Sequence, residues 1–390
     1  MRRSNVDVPG YETSEIYTSA GAALLLPTCE VEALDAAREA ERRARADAVE
    51  AIVRDVAARR AADTDRQGDD LVDQKEGARR KIFDVDEVEE ALEIHGKGDR
   101  ERLAQLKSWA GKMRRDGGYR RVQSFPDRLD VLREEFPNFS RVIEGIESLV
   151  ALSAGSEGSL VPEPMLLAGP PGIGKTLFAE SLATMVGVDL EVVSLAAAQG
   201  SFQILGTSMH WSTASPGQVW RLLATGHAAN GVLLLDEIDK ARGDERCLTE
   251  MALLDLLDPR TAKRIVDQAV DVTMDASALW KLGTANNLNA ISEPVRSRVE
   301  VFEIEPPSRA ELIEIYLRQW DRHCDEHQVR LELSAALLAR MADIQMSPRA
   351  ASRRLKFTLG RAVRDGVSLV DDLFGGGVAA RRSIGFSGGH

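Results

Sequence analysis

The sequence predicts an α/β fold in which a parallel sheet is covered by helices, and three observations carry that reading. Gly169-Pro170-Pro171-Gly172-Ile173-Gly174-Lys175-Thr176 fits the phosphate-loop pattern G-x-x-x-x-G-K-[ST] at every fixed position. The short apolar run Pro164-Met165-Leu166-Leu167-Ala168 precedes it and a helical pattern, Leu177 to Ala183, follows, so strand, glycine-rich loop and helix come in order. From there onward short apolar runs alternate with helical patterns, the mark of parallel strands joined by crossover helices.

Each residue type in the loop has a chemical reason. Glycines let successive backbone N–H groups turn inward on a polyphosphate, and the helix behind them adds the positive end of its dipole. Lys175 would reach the β- and γ-phosphates, and Thr176 would offer its hydroxyl to a nucleotide-bound Mg²⁺. Downstream, Gly231-Val232-Leu233-Leu234-Leu235-Asp236-Glu237-Ile238-Asp239-Lys240 reads as a buried strand that ends in two carboxylates. Asp236 would hold Mg²⁺ through water, and Glu237 would orient and polarise the attacking water. A third strand, Ala278-Leu279-Trp280-Lys281-Leu282, runs directly into Gly283-Thr284-Ala285-Asn286-Asn287. Loop and acidic strand in this order predict a chain that binds ATP with Mg²⁺ and hydrolyses it.

Composition narrows the setting. A chain of 390 residues has room for two or three domains, and 44% apolar with 29% charged residues is ordinary for a globular protein. A net charge of −12 argues against a surface that grips nucleic acid non-specifically. Cys29, Cys247 and Cys324 have neither paired nor metal-like spacing, which predicts a reducing compartment and no disulfide framework. The opening residues lack the apolar core of a signal peptide, and no apolar run reaches membrane-spanning length, so the expected location is cytoplasmic, with no membrane partner.

In chain order, residues 1–30 show no clear period and read as a mobile arm. Residues 31–135 read as a helical, coiled-coil-like region: an Ala-, Arg- and Glu-rich helix from Val31 to about Ala62, a polar linker at 61–70, and a second helical stretch from Val85 to Met113 that stops at Gly117-Gly118. The Arg and Lys residues from Lys107 to Arg121 are expected to form a solvated face. Residues 136–306 form the nucleotide domain, 307–370 a helical lid and 371–390 a tail. Ser308 with Glu311 predicts a capping box at one lid helix, and Ser347 with Pro348 predicts the start of another.

The order of these parts resembles the AAA+ superfamily, in which a polar residue on a strand beside the phosphate loop positions the hydrolytic water. The resemblance gives that role to Asn286. More narrowly, Leu235-Asp236-Glu237-Ile238-Asp239-Lys240, Ala252-Leu253-Leu254-Asp255-Leu256-Leu257-Asp258-Pro259, Thr284-Ala285-Asn286 and Pro294-Val295-Arg296-Ser297-Arg298-Val299-Glu300 look like the ATPase module of Lon-type proteases, over roughly Val142 to Gly366. It implies that Arg298 is an arginine finger for a neighbouring subunit, with Arg296 as a rival, because the family's Leu-Leu-Asp-Arg is replaced here by Val295-Arg296-Ser297-Arg298. It also implies that Arg349 is the lid arginine that reaches the γ-phosphate. The nucleotide contacts are then expected from Gly169 to Thr176, from Asp236, and from Val142 and Ile143 at the leading edge of the domain.

The same resemblance implies a homo-oligomeric, hexameric ring that acts on protein substrates, with nucleic acid an unfavoured partner. No Ser/Lys peptidase segment is expected after the lid, and a separate peptidase has no support beyond Ile384-Gly385-Phe386, which is similar to a docking tripeptide of some unfoldases. His323-Cys324-Asp325-Glu326-His327 fits H-x-x-E-H, but lacks a third ligand and reads as structural. In Gly206 to Gly217, Trp211 stands where the family carries a channel-facing Tyr, and Ser212-Thr213 replaces Val-Gly. Trp211 is expected either to project as a gripping side chain or to pack in the core. The expectation is therefore an ATP-driven ring that remodels or unfolds proteins; the alternatives are an ATP-dependent assembly switch or scaffold, and a nucleic-acid motor or loader.

Overall fold

The computed structural model describes residues 78–373 apart from 96–99, 127–128, 154–161, 197–199, 212 and 241–244, together with 11–17, 23–27, 40, 43–44 and 47–54. Within the stretch expected as an arm, Tyr11–Tyr17 (β1) and Ala23–Pro27 (β2) pair as an antiparallel hairpin. Residues 47–54 are helical, as expected for the Ala-rich stretch. Apart from residues 40 and 43–44, the rest of that stretch, the polar linker and residues 374–390 with Ile384-Gly385-Phe386 lie outside the described residues.

Arg79–Lys81 (β3), Val85–His95 (α1), Arg100–Met113 (α2) and Tyr119–Arg121 (β4) follow, with β3 and β4 antiparallel. The turn before β4 requires glycine at 118: its φ is +82°, and an added Cβ would stand 2.2 Å from the Phe83 carbonyl oxygen. That close approach lets Ile82 N and Phe83 N donate to Gly118 O at 2.9 and 3.2 Å. The basic run here is not simply a solvated face. Arg120 is buried, and its guanidinium donates to the carbonyls of Lys112, Arg115, Tyr119, Leu223 and Ala224. Burial lowers its pKa to about 10.

The three middle strands of the central sheet are built from runs buried on both faces, whereas its two edge strands carry glutamates. After Asp130–Glu135 (α3) and Ser140–Ser153 (α4) come Met165–Ala168 (β5), Lys175–Val186 (α5), Leu190–Ser194 (β6), Gly200–Leu205 (α6), Gln218–Thr225 (α7) and Val232–Asp236 (β7). Glu245–Leu257 (α8), the antiparallel pair Ile265–Asp267 (β8) and Val272–Met274 (β9), Trp280–Ala285 (β10), Glu293–Arg296 (α9) and Glu300–Glu303 (β11) complete it. The strand order is β11-β5-β10-β7-β6, and every pairing is parallel. Along β7 the side chains alternate between two cores: Leu233 and Leu235 join Phe83, Val88 and Trp220, whereas Val232 and Leu234 join Phe139, Phe178 and Trp280. Leu71–Glu311 with Ser347–Ala350 form one compact unit, so β3, α1, α2 and β4 belong to the body of the sheet.

The second unit comprises Met1–Asp70, Leu312–Met346 and Ala351–His390. Its described elements include most of Arg309–Glu326 (α10), Glu332–Leu333 (β12), Ala335–Asp343 (α11), most of Pro348–Asp365 (α12) and Leu369–Val370 (β13). The capping box at α10 is made: Ser308 N donates to Glu311 Oε2 at 2.6 Å and Glu311 N to Ser308 Oγ at 3.3 Å. Ser347 Oγ accepts from Ala350 N at 3.4 Å at the start of α12. Within the second unit His323 is buried, with Nε2 3.0 Å from Ser352 Oγ and Nδ1 3.5 Å from Glu326 Oε2, while His327 is exposed. Among the described residues no group of three or more His, Cys, Asp or Glu side chains could hold a metal ion.

The aromatic stack under the phosphate loop gives a stability prediction. Phe139 is fully buried, stacks on Phe178 at 4.8 Å and meets the edge of Phe136 at 5.6 Å. Phe139→Ala should destabilise the sheet unit by about 3–5 kcal/mol, read as a lower midpoint in denaturant unfolding. An unchanged midpoint would refute the packing role.

Candidate nucleotide-binding site

The loop's shape follows from Gly174, whose φ of +105° turns the chain into α5. Gly169 N donates to Ala285 O at 3.1 Å, which ties the loop's first residue to the end of β10. Lys175 opens α5 and is largely buried. Its ammonium donates to Gly169 O at 2.6 Å, Pro170 O at 2.9 Å and Asn286 Oδ1 at 3.0 Å. Burial lowers its pKa, against the opposing pull of Asp239, Asp236 and Glu237. The phosphate loop and Asn286 therefore meet at one cation, which also lies in the field of the acidic turn after β7.

The acidic end of β7 is organised by Thr284 of β10. Its hydroxyl donates to Asp236 Oδ1 at 2.7 Å and accepts from Glu237 N at 2.9 Å. Thr176 Oγ1 also points to Asp236 Oδ1, at 3.4 Å. Glu237 has a left-handed backbone, φ +58°, unusual for a residue with a Cβ and common at functional turns. Its carboxylate pairs with the Lys240 ammonium. Asp239 Oδ2 accepts from Asn286 N at 3.2 Å and Asn287 N at 3.1 Å, so the turn after β7 fixes the turn after β10.

Gly169 to Thr176, Asp236, Glu237 and Asn286 are thus brought together at the carboxyl ends of the strands, where ligands bind in open parallel sheets. Arg349 lies beside them: a Cβ on Gly172 would be 3.8 Å from Arg349 Cβ and 3.6 Å from Ser347 Oγ. Val142 and Ile143, expected among the nucleotide contacts, are fully buried in the core that holds Phe139 and Phe178, so their side chains back the site without lining it.

Arg298 stands apart, in a cleft of about 710 Å³ lined by Gly145, Met165, Asp258, Glu300 and Phe302, at the opposite end of β5. Its guanidinium donates to Pro294 O at 2.9 Å and lies 3.9 Å from Asp258 Oδ2. Arg296 is exposed. Trp211 is 51% exposed and meets the edge of Phe202 at 5.4 Å, which answers the choice between projection and core in favour of projection. Sequence reasoning gave no role to Thr284, Asp239 or Lys240. The available signal for Thr284 was a lone hydroxyl in a strand buried along its whole length.

Residues 165–306 match the AAA family, described as ATPases associated with various cellular activities. The fold of this segment is that of an AAA P-loop domain. Curated proteins that it resembles include Lon proteases: Lon protease 1 of Bacillus subtilis is 34% identical over 195 residues, covering 48% of this chain and 25% of that protein. The peroxisomal Lon protease homolog 2 of Caenorhabditis elegans is 32% identical over 203 residues, 50% of this chain and 26% of that protein. The matched stretch spans about a quarter of these relatives' length. A solved structure of Hsp104 with ATPγS and FITC-casein aligns with 62% of this chain and 48% of its own, at 18% identity and a TM-score of 0.49.

Thr284→Val keeps the volume but removes the hydroxyl shared by Asp236 and Glu237 N. Nucleotide affinity should stay within about threefold while turnover falls by about tenfold or more, the size expected when a group that aligns the reacting water is lost. Equal turnover in both proteins would remove Thr284 from the site's working parts.

Proposed function

We propose that this chain hydrolyses ATP with Mg²⁺ and uses the energy to remodel or unfold proteins as a homo-oligomeric ring. The observation that carries the hydrolysis reading is the placement of two bonded groups at one end of the sheet, Lys175 on Asn286 and Thr284 on Asp236 and Glu237 N, joined through Thr176 to Asp236 and through Asn286 N to Asp239. The donor set fits the cofactor: a hydroxyl from Thr176 and a carboxylate from Asp236 are hard oxygen ligands of the kind Mg²⁺ takes alongside phosphate and water. Bound Mg²⁺ would neutralise charge on the phosphates. Lys175 binds the β- and γ-phosphates, Glu237 takes up and orients the attacking water once released from Lys240, and Asn286 aligns that water. Arg349 adds positive charge over the γ-phosphate.

Arg298 cannot serve this chain's own loop from the far end of β5, which supports its use by a neighbouring subunit in an assembled ring. The exposed Trp211 supports contact with a substrate polypeptide, because a large aromatic surface among small polar residues holds varied side chains by apolar contact. The internal bonding of Arg120 removes one cation from the basic run, which weakens the nucleic-acid reading. No helix among the described residues is long and apolar enough to cross a membrane.

Three experiments test this reading. Lys175→Ala should weaken nucleotide binding, whereas Glu237→Gln should keep binding and lose turnover; equal ATPase rates for wild type and Glu237→Gln would refute the hydrolytic assignment. Inactive Arg298→Ala and inactive Lys175→Ala subunits, mixed, should recover part of the activity at mixed interfaces. No recovery in verified mixed assemblies would count against action between subunits, and recovery with Arg296→Ala would move the finger to Arg296. Trp211→Ala should abolish the stimulation of turnover by unfolded protein while leaving assembly intact, and unchanged remodelling would exclude Trp211 as the gripping residue.

A further inference from the structure

The segment that carries Trp211 leaves α6 at Leu205 and enters α7 at Gln218, and both of its ends meet one buried carboxylate. Asp267, the last residue of β8, is fully buried. Its Oδ2 accepts from Gly217 N at 2.7 Å, and its Oδ1 accepts from Ala269 N at 2.9 Å and Val270 N at 3.3 Å. At the other end of the segment, a Cβ on Gly206 would stand 2.9 Å from Asp267 Oδ1. The next residue of the hairpin adds two backbone bonds, from Gln268 N to Leu205 O at 2.8 Å and from Met209 N to Gln268 O at 3.0 Å. The neck of the segment is closed by Thr207 N to Ser215 O at 3.0 Å and Ser215 N to Thr207 Oγ1 at 2.8 Å.

Packing alone does not call for a carboxylate here. Burial drives the Asp267 pKa up to about 6, and three backbone N–H groups pull it down, with no cation among the groups that stabilise it. What a carboxylate offers and an apolar side chain lacks is two oxygens that accept from separate elements at once. One oxygen here serves the start of α7 and the other the β8–β9 turn. The hairpin is in turn anchored on the body of the unit, where Thr273 N donates to Glu87 Oε1 at 2.8 Å and Asp275 N to Ile82 O at 3.0 Å.

We infer that Asp267 is a positioning residue for the Trp211 segment: it ties the segment's re-entry into α7 to the β8–β9 hairpin, so segment and hairpin move as one body. This rests on the gripping role proposed for Trp211, and gives that grip its rigid mount. A side chain that bears on a polypeptide transmits force only if its backbone does not yield, and an isolated surface segment would yield.

The test uses Asp267→Asn in the full chain. An amide keeps the shape but presents an N–H₂ to at least one backbone N–H, so one of the two ties is lost. Trp211 reports the change directly, because it is the most exposed of the chain's five tryptophans and dominates iodide quenching. The variant should keep ATPase without substrate within about twofold, raise iodide quenching, and raise by about fivefold or more the concentration of carboxymethylated α-lactalbumin needed for half-maximal stimulation, as expected for one lost bond to a charged group. Unchanged quenching and unchanged half-saturation would overturn the proposal. Should the probe fail to stimulate wild type, the remodelling reading falls, yet quenching still decides the role of Asp267. Should Asp267→Asn fail to fold, amide exchange in the wild-type chain decides it. The Gly217 amide must then be protected to the same degree as those of Ala269 and Val270, and exchange of Gly217 at the rate of open chain would overturn the inference.

Discussion

Strand β10 lies in parallel register between β5 and β7, and the bonds that Thr284 and Asn286 make to Asp236, Glu237 N, Asp239 and Lys175 in the candidate nucleotide site depend on that placement. Pairing of Ala285 with Ala168 sets Asn286 beside the phosphate loop, and pairing of Gly283 with Leu235 sets Thr284 beside Asp236. A slip of one residue would turn Thr284 to the opposite face and put an apolar side chain against the carboxylate. The register is held by burial on both faces, since β5 and β10 are buried along their whole length. The chemistry at the strand ends is therefore set by packing in the strand interiors.

A second theme is how this chain accommodates buried charge. Lys175 and Arg120 are satisfied mainly by backbone carbonyls, and Asp267 by backbone N–H groups. Fixed backbone dipoles do not swing away as a charged side chain can, so each of these groups locks several segments into one arrangement. Arg120 joins α2, the turn before β4 and α7, and Asp267 joins the start of α7 to the β8–β9 hairpin. Helix α7 is thus held at both ends by buried charges, one of each sign.

Much of the active end of the sheet was legible in the sequence because its residue types follow from chemistry at short range. A loop that wraps phosphate needs glycines and a lysine at fixed spacing, and a strand that delivers carboxylates to a site reads as an apolar run ending in Asp and Glu. Asn286 came from its place at the end of a third apolar run, read through a family resemblance. In the basic run from Lys107 to Arg121 the expected solvated face holds for Lys107, Lys112, Arg115 and Arg121 and fails at Arg120. Charge in a sequence predicts solvation on average, and only the convergence of five carbonyls shows that Arg120 is internal.

By itself the sequence determined the α/β class, the phosphate loop, the acidic strand and the capping residues of α10 and α12, because periodicity, loop chemistry and caps act over a few neighbouring residues. Tertiary structure alone decided which far-separated residues meet: Thr284 with Asp236, Asp239 with Asn286, Asp267 with Gly217, and Val142 and Ile143 with the core in place of the ligand. It also decided that Trp211 projects and that Arg298 stands at the far end of β5. These outcomes depend on strand order and register, which are fixed by burial summed over the whole sheet and leave no local mark on the residues they bring together.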